Sequence, residues 1–246
     1  IIDAVTHPVT IDDMQFTLSC SIGIAMYPQD GATLDELIQC ADTAMYQVKE
    51  RGKGHWRFYQ PEMNADLLAR IQTDHAMRQG LQRGEFELHF QPRVDLRSGT
   101  VTACEALLRW HRPGAGLVLP SAFIGVAEET GLIVQLGQWV LEQAVAQARA
   151  WLEAGQPAQV AVNVSALQFE QPGFVQEVAS TLQRHGLPAR LLELELTETI
   201  LVRDAEEALN RLQALAALGV ELSLDDFGTG YSSLNYLKRF PLHRLK

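Results

Sequence analysis

Residues 222–234 read LSLDDFGTGYSSL, an apolar stretch that ends on two adjacent carboxylates, Asp225 and Asp226, followed by a glycine-rich turn and a serine pair. Like charges side by side at the end of a buried strand repel, and burial raises their cost, so either solvent or a cation must accompany them. Other oxygen donors occur in similar settings: Glu105 in CEALLRW, Asn163 in AVNVS and Glu195 in LLELELTET. No His or Cys belongs to the set, which suits Mg²⁺ or Mn²⁺ and argues against structural zinc. Five donors, four of them anionic, exceed what one octahedral Mg²⁺ usually takes from protein. Two ions bridged by a carboxylate fit better, and phosphoester hydrolysis is the common use of such a pair. Asp225 and Asp226 then each face a different ion. Arg109 is placed to hold a phosphate oxygen by a charge-assisted bond, and Lys246 to reach the attacking water or a phosphate oxygen. Structural alternatives stand beside each role: Asp226 as a helix-dipole partner, Glu195 paired with an Arg, Asn163 as a satisfied buried amide.

The elements that must position these donors alternate. Strand-like segments fall at 86–93, 100–110, 158–165, 190–197 and 220–226, with a last one near His243. Helical stretches at 132–154, 173–185, 204–218 and 232–238 separate the later ones, which indicates βα units and a parallel sheet. Segments 86–93 and 100–110 are joined by a short turn containing DLRSG and predict an antiparallel hairpin. Val162 and Val164 alternate with Ala161, Asn163 and Ser165; Leu192, Leu194 and Leu196 alternate with Glu193, Glu195 and Thr197. Val220, Leu222 and Leu224 alternate with Glu221, Ser223 and Asp225, while Glu105 and Arg109 share one face. Crossover helices cover the apolar face, so the polar face points into a barrel or along the crest of an open sheet. In (β/α) barrels sites form at the C-terminal strand ends, where Asn163, Glu195 and Asp225 stand.

Upstream, FTLSCSIGIAM (16–26) is β-rich and TLDELIQCADTAMYQVKERGKG carries apolar residues at helical spacing. Thr33 with Glu36 three residues on predicts a capped start, and Gly52 a stop. WRFY (56–59) reads as a short strand, QPEM (60–63) as a boundary, and a helix is expected from Asn64 to about Arg83.

With 246 residues, 47% hydrophobic and 20% charged, the composition is that of a globular chain. A net charge of −10 argues against a protein that coats nucleic-acid polymers, but not against a small phosphate ligand held by a few Arg residues and metal ions. Cys20, Cys40 and Cys104 form no CxxC pair, so neither a disulfide framework nor a thiolate zinc site is supported, and a reducing compartment is expected. The seven His residues are scattered and read as structural or surface groups, and Cys104 is expected to pack outward beside Glu105. Asp226-Phe227-Gly228 spells a kinase metal-binding tripeptide, but the glycine-rich ATP loop, strand lysine and HRD loop that a kinase requires are missing before it.

CEALLRW, NVSALQF (163–169), LELTET (194–199), DDFGTGYSSL (225–234) and the LK at 245–246 together resemble the EAL phosphodiesterases of cyclic di-GMP. FQP (90–92) and RPGAGLVLPSAFIGVAEETGLI agree with that family's flanking pattern. The resemblance implies an α/β fold, a TIM-like (β/α) barrel with one antiparallel strand. It implies Mg²⁺ or Mn²⁺, as two ions, on Glu105, Asn163, Glu195, Asp225 and Asp226, with Lys246, Glu105 and Asp225 in catalysis. It further implies Arg109 and Gln91 as substrate contacts and Glu198 as an acid steadying the glycine-rich loop. The chemistry implied is opening of one phosphodiester bond of cyclic di-GMP to give linear pGpG; a non-catalytic receptor or interaction module is the alternative.

Residues 1–60 resemble the C-terminal tail of a GGDEF domain, the diguanylate cyclase module, without its signature motif. The expected organisation is therefore a GGDEF fragment at 1–60 and an EAL domain at 61–246, truncated before its last strands and its general-base glutamate and inactive by itself. Gly125 stands where the family often has Pro. A tandem parent protein, an upstream sensory domain, a homodimer through the EAL domain and a location in the cytoplasm or at its membrane face complete the expectations.

Overall fold

In the computed structural model, residues 12, 13, 51–53, 198, 199, 201–204 and 226–238 are not described; every statement below concerns the remainder. Two compact units divide between Gln72 and Thr73.

The first unit holds α1 (Ile2–Thr6), the hairpin β1 (Val9–Ile11) and β2 (Met14–Phe16), and β3 (Ile22–Ile24) parallel to β4 (Trp56–Phe58) with α2 (Leu34–Glu50) between them in sequence. The expected strand over 16–26 is thus two short strands, and residues 17–21 lie in neither. A capping box starts α2: the Glu36 amide donates to Thr33 Oγ1 at 3.3 Å and the Thr33 amide to Glu36 Oε2 at 3.1 Å. A glycine at position 23 lets α2 lie on β3, since a Cβ there would fall 1.8 Å from the Ala41 carbonyl oxygen. The expected stop at Gly52 lies outside the described residues.

Helix α3 runs unbroken from Glu62 to Arg83, through the expected boundary at 60–63 and two residues ahead of its expected start. It leads into β5 (Phe86–Val94), which pairs antiparallel with β6 (Val101–Arg112), and a short β7 (Gly116–Val118) folds back on the end of β6. Then α4 (Ile124–Glu129) and α5 (Leu132–Glu153) precede β8 (Gln159–Val164); α6 (Ala166–Phe169) and α7 (Phe174–His185) precede β9 (Leu192–Thr197). Next come α8 (Ala205–Ala217), β10 (Glu221–Asp225) and β11 (Arg244–Leu245). Strand order is β11-β10-β9-β8-β6-β5, with every neighbour parallel except β5. The hairpin and the alternation of strand and helix agree with the sequence reading within about two residues, while β7 was not anticipated. The helix expected at 232–238 lies outside the described residues.

Alternation along each strand separates two environments. Val160, Val162, Leu192, Leu194, Leu196, Leu222 and Leu224 are buried with Leu136, Leu141, Val145, Leu212 and Leu215 of the covering helices in one hydrophobic core. Each such side chain contributes about 1.5–3 kcal/mol by leaving water. Cys104 belongs to this outer face and is buried, as expected. Phe86 stacks on Trp110 with ring centroids 5.5 Å apart, Phe123 meets both edge-on, and the Trp110 indole N–H donates to Glu85 at 3.1 Å.

The opposite face is polar and curls into a barrel. Strands β5 and β9 are three neighbour spacings apart, roughly 14 Å in a flat sheet, yet Arg93 Nη2 lies 2.5 Å from Glu193 Oε2. Strands β11 and β6 are four spacings apart, roughly 19 Å if flat, yet Lys246 Nζ lies 3.7 Å from Glu105 Oε2. Only a sheet rolled about its polar face brings such pairs together.

Candidate metal and phosphate site at the barrel mouth

Register fixes which residues share the barrel interior. Gln91 is the partner of Glu105, Glu105 of Ala161, Asn163 of Glu195 and Asp225 of Thr197, so all these side chains project from the inner face. The structure joins Glu105, Asn163, Glu195 and Lys246. Asn163 Nδ2 donates to Glu105 Oε1 at 2.9 Å. The Lys246 ammonium donates to Glu195 Oε1 and stands 3.7 Å from Glu105 Oε2, one cation bridging two carboxylates. Asp225 is the last residue of β10, next to this group in the sheet. Asp226 and Glu198 lie outside the described residues.

Glu195 is 1% exposed, and its Oε2 is buried without a hydrogen-bond partner. Desolvation pushes its carboxyl above the ordinary range, and the Glu105 and Glu193 charges add to this against the pull of Lys246. A buried carboxylate oxygen left unpaired is costly, and a divalent cation would satisfy it. The donor set, two carboxylates and an amide held together and a third carboxylate on the next strand, is oxygen-only and suits a hard cation. Among the described residues no three His, Cys, Asp or Glu side chains already converge as a metal cluster; the ammonium of Lys246 balances Glu105 and Glu195 instead. The described residues therefore fit a hard divalent cation in donor chemistry.

One layer deeper lies an ion network that the motif reading did not assign. Glu193, 0% exposed, receives Arg93 Nη2 at 2.5 Å, Arg93 Nη1 at 3.3 Å and Arg244 Nη1 at 2.5 Å. Arg244 also reaches Gln159 at 3.2 Å and Glu221 at 3.3 Å. Arg93 Nη1 lies 3.4 Å from Glu195 Oε1, so the alternative in which Glu195 pairs with an Arg inside the barrel is present together with the lysine bridge. Two carboxylates on one strand thus diverge. Desolvation raises both, but the Arg93 hydrogen bonds and the two guanidinium charges outweigh it at Glu193 and hold that carboxyl below the ordinary range. Glu193 was visible on the inward parity, and Arg93 shares the face of Gln91; only the curl of the sheet brings them together.

Arg109 sits four residues beyond Glu105 on β6, opposite Glu87 of β5, and its Nη1 donates to the Leu108 carbonyl at 2.9 Å. Glu87 Oε1 is 2.7 Å from both His89 Nε2 and His111 Nε2, so two imidazoles read from the sequence as scattered structural or surface groups meet at the mouth. Behind β6 and β8, a cavity of about 270 Å³ opens among Leu107, Asn163, Ser165, Thr197, Ile133 and Gly137.

A barrel of parallel strands with one antiparallel member, carrying acidic and amide donors at its strand ends, is the architecture of a family. The EAL domain profile matches residues 74–246, and the chain belongs to that family. Residues 1–55 match the diguanylate cyclase GGDEF domain profile. Over 247 aligned residues the chain is 46% identical to the bifunctional diguanylate cyclase/cyclic di-GMP phosphodiesterase MucR of Pseudomonas aeruginosa, covering 100% of this chain and 36% of that protein. It is 40% identical to the cyclic di-GMP phosphodiesterase PdeR of Escherichia coli, over 97% of this chain and 36% of the relative. The chain therefore spans about a third of the length of these curated relatives. Among solved structures, a MucR phosphodiesterase–c-di-GMP complex superposes with a TM-score of 0.68 at 50% identity, over 71% of each chain. The EAL enzyme Bd1971, bound to cAMP and cyclic-di-GMP, gives 0.68 at 34% identity over 73% of this chain and 50% of that one. The TIM-like barrel expected from the sequence is thus the observed fold.

Proposed function

We propose that the protein containing this chain hydrolyses cyclic di-GMP to linear pGpG at the mouth of the EAL barrel. The observation that carries this reading is the inward cluster of Glu105, Asn163 and Glu195 beneath Lys246, with a buried Glu195 oxygen that lacks a hydrogen-bond partner among the described residues. Two divalent ions, Mg²⁺ or Mn²⁺, would be held by Glu105, Asn163, Glu195, Asp225 and Asp226. Bound there, they supply Lewis-acid polarisation of the phosphoryl group and acidify water at neutral pH. The chain's own residues orient and neutralise. Arg109 and Gln91 contact the phosphate and hold the reacting diester in line, and Lys246 carries positive charge beside the scissile group. Glu198, outside the described residues, takes the role the family resemblance implies, steadying the glycine-rich segment DDFGTGYSSL. Relatives and neighbours named as cyclic di-GMP phosphodiesterases or c-di-GMP complexes support the substrate class.

The GGDEF-like part at 1–60 and the EAL part at 61–246 are read as the join of a tandem signalling protein with an upstream sensory domain, dimeric through its EAL domain and acting in the cytoplasm or at its membrane face. No helix among the described residues is long and apolar enough to cross a membrane. The test is turnover of cyclic di-GMP by the full-length protein with Mg²⁺ or Mn²⁺. Glu105→Ala should abolish it. Undiminished turnover in that variant overturns the metal assignment, and tight binding without turnover by the unmodified protein favours the receptor reading.

A further inference from the structure

The hairpin β5–β6 places four side chains of complementary charge on its inner face at the mouth: Glu87 and His89 from β5, Arg109 and His111 from β6. Glu87 and Arg109 are direct cross-strand partners. In an antiparallel pair, opposite charges so placed have Cβ atoms about 4.5–5.5 Å apart and ordinarily form an ion pair. Here they do not. The Arg109 guanidinium turns to the Leu108 carbonyl at 2.9 Å. Glu87 instead accepts from His89 and His111, each at 2.7 Å and on the same oxygen, Oε1. An ionised carboxylate can only accept, so both imidazoles must carry their proton on Nε2. The arrangement follows from strand geometry: His89 lies two residues along β5 from Glu87 and His111 two residues beyond Arg109, so both rings stand on the face of the acid.

We infer that His89 and His111 act as a clamp that keeps Glu87 away from its natural partner Arg109, leaving that guanidinium available to an anionic phosphate. Three facts converge on this: the cross-strand register, the carboxylate oxygen drawn to two imidazoles and, among the described residues, a guanidinium whose hydrogen bond goes to a carbonyl oxygen. The histidines are positioning residues, since they act through Glu87 and touch no reacting atom. With His89 and His111 removed, Glu87 is free to pair with Arg109, and an incoming phosphate must displace it. The inference rests on the reading of Arg109 as a phosphate contact, and the experiment separates the two.

Binding of cyclic di-GMP to the full-length protein is measured by titration calorimetry, and turnover by steady-state kinetics with Mg²⁺. Four proteins are compared, each checked for an unchanged unfolding midpoint: unmodified, Arg109→Ala, His89→Ala/His111→Ala, and that double variant carrying Glu87→Gln. Arg109→Ala should weaken binding most. The double histidine variant should weaken it about two- to fivefold, the range of an exposed ion pair that must be broken, raising KM while kcat holds. Adding Glu87→Gln should restore the unmodified affinity, because an uncharged partner no longer competes for the guanidinium. Unmodified affinity in the double variant, or a triple variant as weak as the double, overturns the clamp while leaving Arg109 in place. Unmodified affinity in Arg109→Ala overturns the phosphate contact and the clamp with it.

Discussion

Replacing Arg93 by Met keeps an unbranched stem crossing the barrel interior and removes the guanidinium that meets Glu193 and Glu195. Glu193 is fully buried and receives three N–H contacts, two from Arg93 and one from Arg244, so the substitution removes two of three donors and one of two cations. Breaking a buried pair by deleting one partner costs about 3–5 kcal/mol. Retention of Arg244 reduces this to about 2–3 kcal/mol, since the carboxylate keeps one charged hydrogen bond. With an m-value of about 2 kcal/mol/M, the urea midpoint of the barrel unit should fall by about 1–1.5 M. Chemical denaturation followed by tryptophan fluorescence reads this directly, because Trp110, Trp139 and Trp151 all lie in that unit. Arg93→Met/Glu193→Leu should recover most of the loss, as replacing both members of a buried pair by apolar groups is often neutral. A single variant within about 0.5 kcal/mol of the parent, the scatter of ordinary surface changes, would refute the view that Glu193 depends on Arg93.

Two further outcomes are expected. Gly137→Ala places a Cβ 2.1 Å from Gln168 Oε1, and Gln168 is 2% exposed and cannot swing away, so overpacking of about 1–3 kcal/mol exceeds the helix gain of up to about 1 kcal/mol; a melting temperature equal to or above the parent's would contradict this. Desolvation raises the Glu142 carboxyl, but hydrogen bonds from His185 at 2.7 Å and Arg184 at 2.5 Å outweigh it and hold it below the ordinary value. Its contribution is therefore present above the unfolded value of about 4.3 and lost as pH falls through the lower folded value. Glu142→Gln should flatten the acid side of the stability profile, and parallel profiles for the two proteins would disprove the coupling.

Much of the candidate site's placement on the strands was legible because the covering helices leave only one face of each strand for polar groups. LELELT is nearly sufficient to place Glu193 and Glu195 inside, and their burial agrees with that parity. The hairpin was equally plain, since a short polar turn between two β-rich runs permits little else. What the chain does not spell out is which inward residues meet. Arg93 reaches Glu193 only because the sheet rolls through three strands, and nothing within FQPRVDL encodes that curvature. The His–Glu–His contact was accessible in principle: pairing Gln91 with Glu105 fixes Glu87 opposite Arg109 and sets His89 and His111 around it. The register, rather than composition, carried that signal. Lys246 has little weight as an isolated residue and gains meaning from its contacts with Glu105 and Glu195.

Because β5 runs against the other strands, its first residue enters the barrel at the mouth, whereas in an all-parallel barrel it would enter at the base. Helix α3 therefore delivers the chain, through Gly84 and Glu85, two residues before Glu87. Glu85 is held there on three sides: its amide by the Gly80 carbonyl, its own carbonyl by the His111 amide and its carboxylate by the Trp110 indole. A twist or slide of the last turns of α3 would reach the hairpin both through this pinned residue and through the core, where Met77 is fully buried and Gly80 abuts Trp110. The reversed strand thus ends the entry helix at the mouth of the barrel, beside the hairpin that carries Glu87 and Arg109.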